Sequence, residues 1–180
     1  MKTKILISGF GGQGILFAGH LLAEAAMIEN KHVSWVPSYG PEMRGGTAYC
    51  SIIISDKEIS SPIVDQPEIL IAFNQPSQDK FGPLVVPEGL IIANSSLVPN
   101  SLQRTDVHQY RLAANAVAEQ LGTIKAVNMI MLGAFLNLDN SISSNTIKML
   151  IHQRFERKNH LKDLNLTALK MGKEKIVQVS

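Results

Sequence analysis

The chain has 180 residues, of which 45% are hydrophobic and 18% charged, and its net charge is +2. This length and composition are those of an ordinary globular protein that needs neither disulfides nor metal to fold, so we expect one domain over residues 1–180. The sequence lacks the concentrated basic face that nucleic-acid binding requires and any apolar run near the ~20 residues of a membrane span.

The single cysteine, Cys50, sets further limits. One cysteine excludes an internal disulfide and any cysteine-rich iron–sulfur or zinc site within this chain. A lone free thiol suits a reducing compartment, and the apolar stretch near the N-terminus is too short for a signal peptide, so we expect a cytoplasmic protein. Because Cys50 lies in the apolar run Tyr49–Ile54, we expect a buried strand thiol and not a nucleophile.

The first 36 residues predict a β-loop-α-β unit. The apolar run Ile5–Ile7 is typical of a buried parallel strand, and a three- and four-residue apolar period after Gly14 predicts a helix. Val33–Val36 predicts the second strand. The segment Pro37–Gly46 has two prolines and three glycines, which favours an irregular loop. If the first and second strands are neighbours, this loop rises at the same sheet edge as the glycines that follow the first strand.

Three more apolar runs predict strands, namely Thr47–Ser55, Ile69–Phe73 and Leu90–Ala93. The turn after the first of these, Ser55–Glu58, predicts a hairpin that returns to Ile59.

The second half of the chain is predicted to be mostly helical. Leu112–Leu121 predicts a helix with Gly122 as its C-cap, and in Ala126–Leu136 the glycine at position 133 indicates close helix packing. Two terminal helices follow at Thr146–Phe155 and Leu164–Val177. The order predicts an α/β fold, with an open, mainly parallel twisted sheet, helices on both faces, a Rossmann-like start and a helical C-terminal part at about 145–180.

The run Gly9-Phe10-Gly11-Gly12-Gln13-Gly14 follows a strand and opens a helix, with the spacing G-x-G-x-x-G. Glycines there permit a tight turn and close backbone approach, and the helix amino end attracts an anion. An NAD site needs an acid about 20 residues on, where the sequence has Val33–Ser38, and no Walker lysine follows. The loop therefore predicts an anionic or phosphate-bearing partner, while a packing or subunit contact, or a dinucleotide, stays open.

A second loop carries Arg44, Gly45 and Gly46. A guanidinium beside exposed backbone N–H groups suits a carboxylate, a phosphate or an acidic group of a partner. The alternative is a rigid interface loop in which Arg44 pairs with a local acid.

Several expected catalytic patterns are missing. The sequence has no Gly-Asp-Gly followed by a distant asparagine, the pattern that holds the metal and diphosphate of thiamine. Its five histidines have no metal-ligand spacing, and no nucleophile-base arrangement can be read. We therefore predict no catalytic residue in this chain. Asn128 is predicted to cap its helix, with a ligand contact as the alternative.

Taken together, these residues resemble the gamma subunit of 2-oxoacid:ferredoxin oxidoreductases. The resemblance runs in order from residue 4 to about 136 and is carried by Gly11–Gly14, Tyr39–Glu42, Arg44–Gly46, Ser61-Pro62, Asn94–Ser96 and Asn128–Ala134. The run Ser38–Gly46 is most similar to the 2-oxoglutarate type, and the pyruvate, ketoisovalerate and indolepyruvate types stay open.

The resemblance implies a complex that oxidatively decarboxylates a 2-oxoacid on thiamine diphosphate with magnesium. Electrons then pass through iron–sulfur clusters to ferredoxin or another acceptor, and the acyl group passes to coenzyme A. Alpha, beta and, where present, ferredoxin-like delta subunits would carry thiamine and the clusters, and this chain would bind no cofactor tightly.

In multidomain relatives the equivalent domain is associated with coenzyme A. The candidate coenzyme A or interface residues are therefore Gly11, Gly12, Gln13, Gly14, Arg44, Gly45 and Gly46. A purely scaffolding subunit is the alternative, and a free-standing nucleotide-binding oxidoreductase is less favoured. Separated from its partners, the chain is expected to self-associate as a homo-oligomer.

Overall fold

Seven strands form a single sheet in the computed structural model, which describes residues 1–39 and 47–179 and leaves out 40–46 and 180. The strands are β1 (Lys2–Phe10), β2 (His32–Tyr39), β3 (Thr47–Ser55), β4 (Ile69–Ala72), β5 (Leu90–Asn94), β6 (His108–Leu112) and β7 (Val177–Gln178). The helices are α1 (Ile15–Ile28), α2 (Gln75–Phe81), α3 (Ala114–Gln120), α4 (Val127–Leu138), α5 (Ser144–Arg154) and α6 (Asn159–Lys175), with 3-10 turns at Gly82–Leu84 and Ile124–Ala126.

The strand order across the sheet is β2-β3-β1-β4-β5-β6-β7. Strands β1, β4, β5 and β6 pair in parallel, whereas β3 runs antiparallel to both β1 and β2, and β7 runs antiparallel to β6. Five of the seven strands therefore point the same way, which confirms the open, mainly parallel α/β sheet.

The start of the fold departs from the simple Rossmann arrangement. Strand β3 lies between β1 and β2. The first two strands are therefore not neighbours, although the predicted position of the Pro37–Gly46 loop assumed that they were. Even so, Phe10 pairs with Thr47, and Tyr39 pairs with Ala48. The chain therefore leaves β2 and enters β3 at the same sheet edge where β1 ends, and the segment between them lies outside the described residues.

Successive side chains on each strand point to opposite faces of the sheet, and helices pack on both of these faces. Ile5 and Ile7 pack into the larger core with residues of α1 and α3 to α6. Leu6 packs into a smaller core with Phe81 of α2 and Val85. Burial of each such side chain contributes about 1.5–3 kcal/mol. Helices on both faces are thus confirmed, with most of them on one side.

Helices α4 and α6 touch through their backbones. A Cβ atom added at Gly133 would collide with the carbonyl oxygen of Leu169, and one added at Gly172 would collide with the carbonyl oxygen of Ile130. Only glycine permits this approach, which confirms the close helix packing predicted for Gly133.

Helix α3 ends as predicted but begins later. Gly122 has a φ of 75°, and its N–H donates to the carbonyl of Glu119 while the Thr123 N–H donates to Ala118. This is the hydrogen-bond pattern of a glycine-terminated helix. Leu112, predicted as the first helical residue, instead ends β6.

Other elements also differ from the prediction, including α6, which begins at Asn159 and not at Leu164. Strand β2 continues through Pro37 to Tyr39, where a loop was predicted, because an edge strand tolerates a residue without an N–H. The predicted hairpin is wrong, since Ile59 lies in irregular chain. Strand β6 was missed, and Val177, predicted as the end of the last helix, belongs to the short strand β7.

Candidate functional site

The glycine loop lies at the carboxyl end of β1, beside the carboxyl end of β4. These strands pair in parallel, so the chain leaves both at the same edge. Helix α1, which follows β1, packs on one face of the sheet, and α2, which follows β4, packs on the other. Ligands of open α/β sheets bind where neighbouring strands send their connections to opposite faces. Residues 9–14 therefore lie at the position where ligands of such sheets bind.

Two glycines of the loop have left-handed backbone conformations, with φ of 92° at Gly12 and 74° at Gly14. Residues other than glycine rarely adopt these backbone angles. A Cβ atom at Gly12 would meet nothing within 4 Å, so this position is exposed to solvent or a ligand. At Gly9 a Cβ atom would lie 2.8 Å from that of Phe73, so there the glycine serves packing.

Gln13 folds back over the loop that contains it. Its Oε1 accepts a 2.6 Å hydrogen bond from the Phe10 N–H and lies 3.5 Å from Nδ2 of Asn74. The Gln13 N–H in turn donates to the Phe10 carbonyl at 3.2 Å. The side chain thus fixes the loop and bridges the ends of β1 and β4, leaving only its Nε2 group for a partner.

A cavity of about 300 Å³ opens in front of the loop. Its wall is formed by Gly12, Gln13, Gly14, Asn115, Ile124, Lys125 and Val127. Gly14 is the N-cap of α1, and no described side chain caps that helix end. The positive end of the α1 dipole and the ammonium of exposed Lys125 therefore both favour an anion in this cavity.

Asn128 ties α4 to the glycine loop. Its Nδ2 donates to the Gly14 carbonyl at 3.3 Å, and its Oδ1 accepts from the Met129 N–H at 2.9 Å. The helix N-cap is Ala126, so the predicted capping role is wrong. Asn128 is only 8% exposed, and its contacts make it a structural link.

Three polar residues at this edge were not predicted from the sequence: Asn74, Asn115 and Lys125. Asn74 is 2% exposed and caps α2 by accepting from the Ser77 N–H at 2.9 Å. It stands two residues after β4, and Asn94 ends β5. An asparagine after a buried apolar run was the available signal. Asn115 and Lys125 gave no such signal, because they reach the cavity only through the tertiary fold.

The predicted site residues divide into two groups. Gly12, Gln13 and Gly14 line the cavity, and Gly11 is an exposed residue beside them. Arg44, Gly45 and Gly46 lie outside the described residues, although the strands that flank them, β2 and β3, meet at this edge. A ligand contact for any of the seven stays a prediction.

The geometry also weighs against a dinucleotide. In such sites the acid that binds the ribose ends a strand next to the first one, but β2 is separated from β1 by β3. Strands lie about 4.8 Å apart, so the end of β2 is about 10 Å from that of β1.

Other chemistry is limited in the part of the chain that the structure describes. It contains no group of three or more His, Cys, Asp or Glu side chains that could hold a metal ion. Cys50 is fully buried in β3, which confirms the buried strand thiol, and burial raises the pKa of this thiol to about 12. Among the described helices, none has the length and apolar character needed to cross a membrane.

Comparison with known proteins gives consistent matches. The family model "Pyruvate ferredoxin/flavodoxin oxidoreductase" matches residues 4–175. Ketoisovalerate oxidoreductase subunit VorA of Methanothermobacter thermautotrophicus is 38% identical over 174 residues, which are 96% of this chain and 36% of that protein. The chain thus spans about a third of that relative's length.

Two other relatives match over nearly their whole length. The 2-oxoglutarate synthase subunit KorC of Methanocaldococcus jannaschii is 34% identical over 177 residues, covering 97% of this chain and 94% of that protein. The keto/oxoacid ferredoxin oxidoreductase gamma subunit of Geobacter sulfurreducens has a structure with a TM-score of 0.86 and 29% identity, covering 97% of this chain and 96% of that one. The chain therefore belongs to the pyruvate ferredoxin/flavodoxin oxidoreductase family, as a gamma-type subunit.

Proposed function

We propose that this chain is the gamma subunit of a heteromeric enzyme that oxidatively decarboxylates a 2-oxoacid, with ferredoxin or another carrier as electron acceptor. Within it, the cavity in front of the glycine loop receives an anionic part of coenzyme A. The observation that carries the proposal is this cavity, between the uncapped end of α1 and Lys125. The match to KorC, which covers 94% of that subunit at 34% identity, supports the gamma role.

The cavity is suited to part of coenzyme A and not to the whole molecule. Its volume of about 300 Å³ is at the lower end of the range of about 300–1,000 Å³ for small-molecule sites. Backbone N–H groups at the α1 end and the Lys125 ammonium would hold a phosphate group. Coenzyme A, when bound, supplies the thiol that accepts the acyl group, and this chain only positions it.

The remaining cofactors do not fit this chain. An iron–sulfur cluster needs several thiolates, and the sequence has one cysteine, which is buried. The clusters are therefore assigned to partner subunits. Thiamine diphosphate and magnesium, whose Gly-Asp-Gly pattern the sequence lacks, are assigned likewise to the alpha, beta and, where present, ferredoxin-like delta subunits.

The 2-oxoacid is proposed to be 2-oxoglutarate. Several relatives that the chain covers over nearly their whole length are 2-oxoglutarate synthase subunits KorC, whereas the ketoisovalerate relative is more similar in sequence but is covered over only 36% of its length. Viologen reduction by the purified complex, measured with 2-oxoglutarate, pyruvate, 2-ketoisovalerate and indolepyruvate, decides the substrate. The highest kcat/KM with any acid but the first would overturn this assignment.

Coenzyme A binding is tested by calorimetry on the assembled complex. Lys125→Gln removes the cavity's charge and should weaken binding about two- to fivefold, as expected for an exposed charge pair. Arg44→Ala and Gly12→Val should weaken it as well. Lys57→Gln is the matched control, because this exposed lysine follows β3 at the opposite sheet edge. An unchanged affinity for coenzyme A in the first three variants would contradict the ligand-binding role.

A scaffolding role is the second candidate, because several apolar side chains are exposed. Met27 is 65% and Ile63 is 70% exposed, and a partner subunit that covered these side chains would remove apolar area from water. In this case the same variants would impair assembly and leave coenzyme A affinity unchanged. Size-exclusion chromatography of the co-expressed subunits separates the two roles, and normal assembly counts against the scaffold.

A further inference from the structure

We infer that Asn115 makes the glycine-loop cavity selective for acceptor-rich anions, and that buried Asn94 is the positioning residue that sets the orientation of the Asn115 amide. The inference deepens the proposed function, because it names the part of the ligand that this cavity holds. It follows from which atoms of each amide are already used.

The orientation of the Asn94 amide is fixed by the backbone. Asn94 is fully buried, and one of its amide atoms receives the N–H groups of Ala114 at 3.1 Å and Ser96 at 3.3 Å. Backbone N–H groups only donate, so the atom that they meet must be the oxygen, Oδ1. The other amide atom of Asn94 is therefore the NH₂ group.

That NH₂ group fixes Asn115 in turn. Nδ2 of Asn94 lies 2.9 Å from Oδ1 of Asn115 and 3.4 Å from the Phe73 carbonyl. An NH₂ group requires an acceptor, so Asn115 must present its oxygen to Asn94. Its backbone N–H is also occupied, donating to Oγ of Ser96 at 3.2 Å. The NH₂ group of Asn115 therefore remains to bind a ligand in the cavity that this residue lines.

The other amide on the cavity wall, that of Gln13, has the same polarity. Its Oε1 is occupied by the Phe10 N–H at 2.6 Å, so its NH₂ group remains for a ligand. Lys125 can only donate. Among the described side chains that line the cavity none is acidic, and the polar ones offer N–H groups.

A wall of side-chain donors selects the ligand by chemistry. Phosphate, diphosphate and carboxylate groups bring several acceptor oxygens and a negative charge, and hydrogen bonds to them are stronger than those between neutral groups. A cation or an amine would meet only like donors among these side chains. Within coenzyme A, the cavity therefore takes a phosphate group, and neither the thiol nor the adenine amino group.

The decisive variant is Asn115→Asp. One carboxylate oxygen of the new side chain still accepts from Nδ2 of Asn94, while the other replaces the NH₂ group with an acceptor of nearly the same shape. The matched control is Gln120→Glu, which makes the same change of charge at an exposed position of α3 that does not line the cavity.

The probe is inorganic pyrophosphate, titrated into the ¹⁵N-labelled full chain and followed by NMR. The side-chain NH₂ signal of Asn115, identified by its loss in Asn115→Asp, should shift on titration. Asn115→Asp should bind pyrophosphate at least about tenfold more weakly, as expected for one lost bond to a charged group, and Gln120→Glu should stay within about twofold. Equal binding by Asn115→Asp, an unresponsive NH₂ signal, or no binding to the native chain would overturn the inference.

The positioning role of Asn94 has its own readout. In Asn94→Asp one oxygen still receives the Ala114 N–H, but the other needs a donor, so the Asn115 amide must invert and turn its oxygen to the cavity. The Asn115 NH₂ signal should then no longer respond to pyrophosphate. A preserved response in a folded Asn94→Asp protein contradicts the positioning role, and Asn115→Asp tests the selectivity if that variant does not fold.

Failure of this inference differs from failure of the proposed function. If Lys125→Gln and Gly12→Val leave the coenzyme A affinity of the complex unchanged, the coenzyme A role fails even where pyrophosphate still shifts Asn115. If those variants weaken coenzyme A binding but Asn115→Asp does not weaken pyrophosphate binding, the selectivity of Asn115 fails alone.

Discussion

Replacing Gly133 with alanine should force α4 and α6 apart. The added Cβ atom would collide with the backbone carbonyl of Leu169, and no side-chain rotation can relieve that contact. Overpacking of this kind costs about 1–3 kcal/mol, while alanine regains up to about 1 kcal/mol of helix propensity. We expect a net loss of about 1–2 kcal/mol, which for a chain of this size lowers Tm by about 2–8 °C.

Thermal unfolding followed by circular dichroism measures this loss. Thr167→Ala is the matched control, because it raises helix propensity on the exposed side of α6 without touching α4, and it should change stability by no more than about 0.5 kcal/mol. Gly172→Ala acts on the same interface, so the double variant should lose less than the sum of the two single losses. A Gly133→Ala protein as stable as the native chain would refute the backbone contact.

Two further predictions concern the buried thiol and the glycine loop. Burial raises the pKa of the Cys50 thiol from 9.0 to about 12. Between about pH 9 and pH 12 the thiol therefore ionises in the unfolded chain but not in the folded one. The contribution of Cys50 to the free energy of unfolding thus falls as pH rises through this range. The difference in unfolding free energy between the native chain and Cys50→Ala should shrink from pH 8 to pH 10.5, and a constant difference would contradict it. Gly12→Val should lower coenzyme A affinity more than Gly12→Asn does, because asparagine tolerates positive φ better than a β-branched residue; equal affinities would show that the loop conformation does not matter.

The buried parallel strands could be predicted because burial on both faces produces a recognisable sequence pattern. The runs that became β1, β4 and β5 are continuous apolar segments, as expected for strands covered on both faces. Strand β6 has the sequence His108-Gln109-Tyr110-Arg111-Leu112, of which only the last residue is fully buried, so it gave no such pattern. The loop predicted from Pro37 failed because the edge position of β2 removes the usual penalty of a proline in a strand.

The candidate site was predictable only in its local part. The glycine loop shows itself in consecutive residues, since left-handed backbone at positions 12 and 14 demands glycine. The place of β3 between β1 and β2 is a pairing choice that no local pattern records. The contact of Asn94 with Asn115 joins residues 21 positions apart, and Lys125 lies 111 positions beyond Gly14. The cavity that these residues form became visible only in the fold.

The most direct test of the central claim is the steady-state kinetics of the assembled complex with Lys125→Gln in this chain. The account predicts that KM for coenzyme A rises about two- to fivefold, while KM for the 2-oxoacid and kcat at saturating coenzyme A stay as in the Lys57→Gln control. An unchanged KM for coenzyme A, or an equal rise in the KM of the 2-oxoacid, would contradict a coenzyme A site in the glycine-loop cavity.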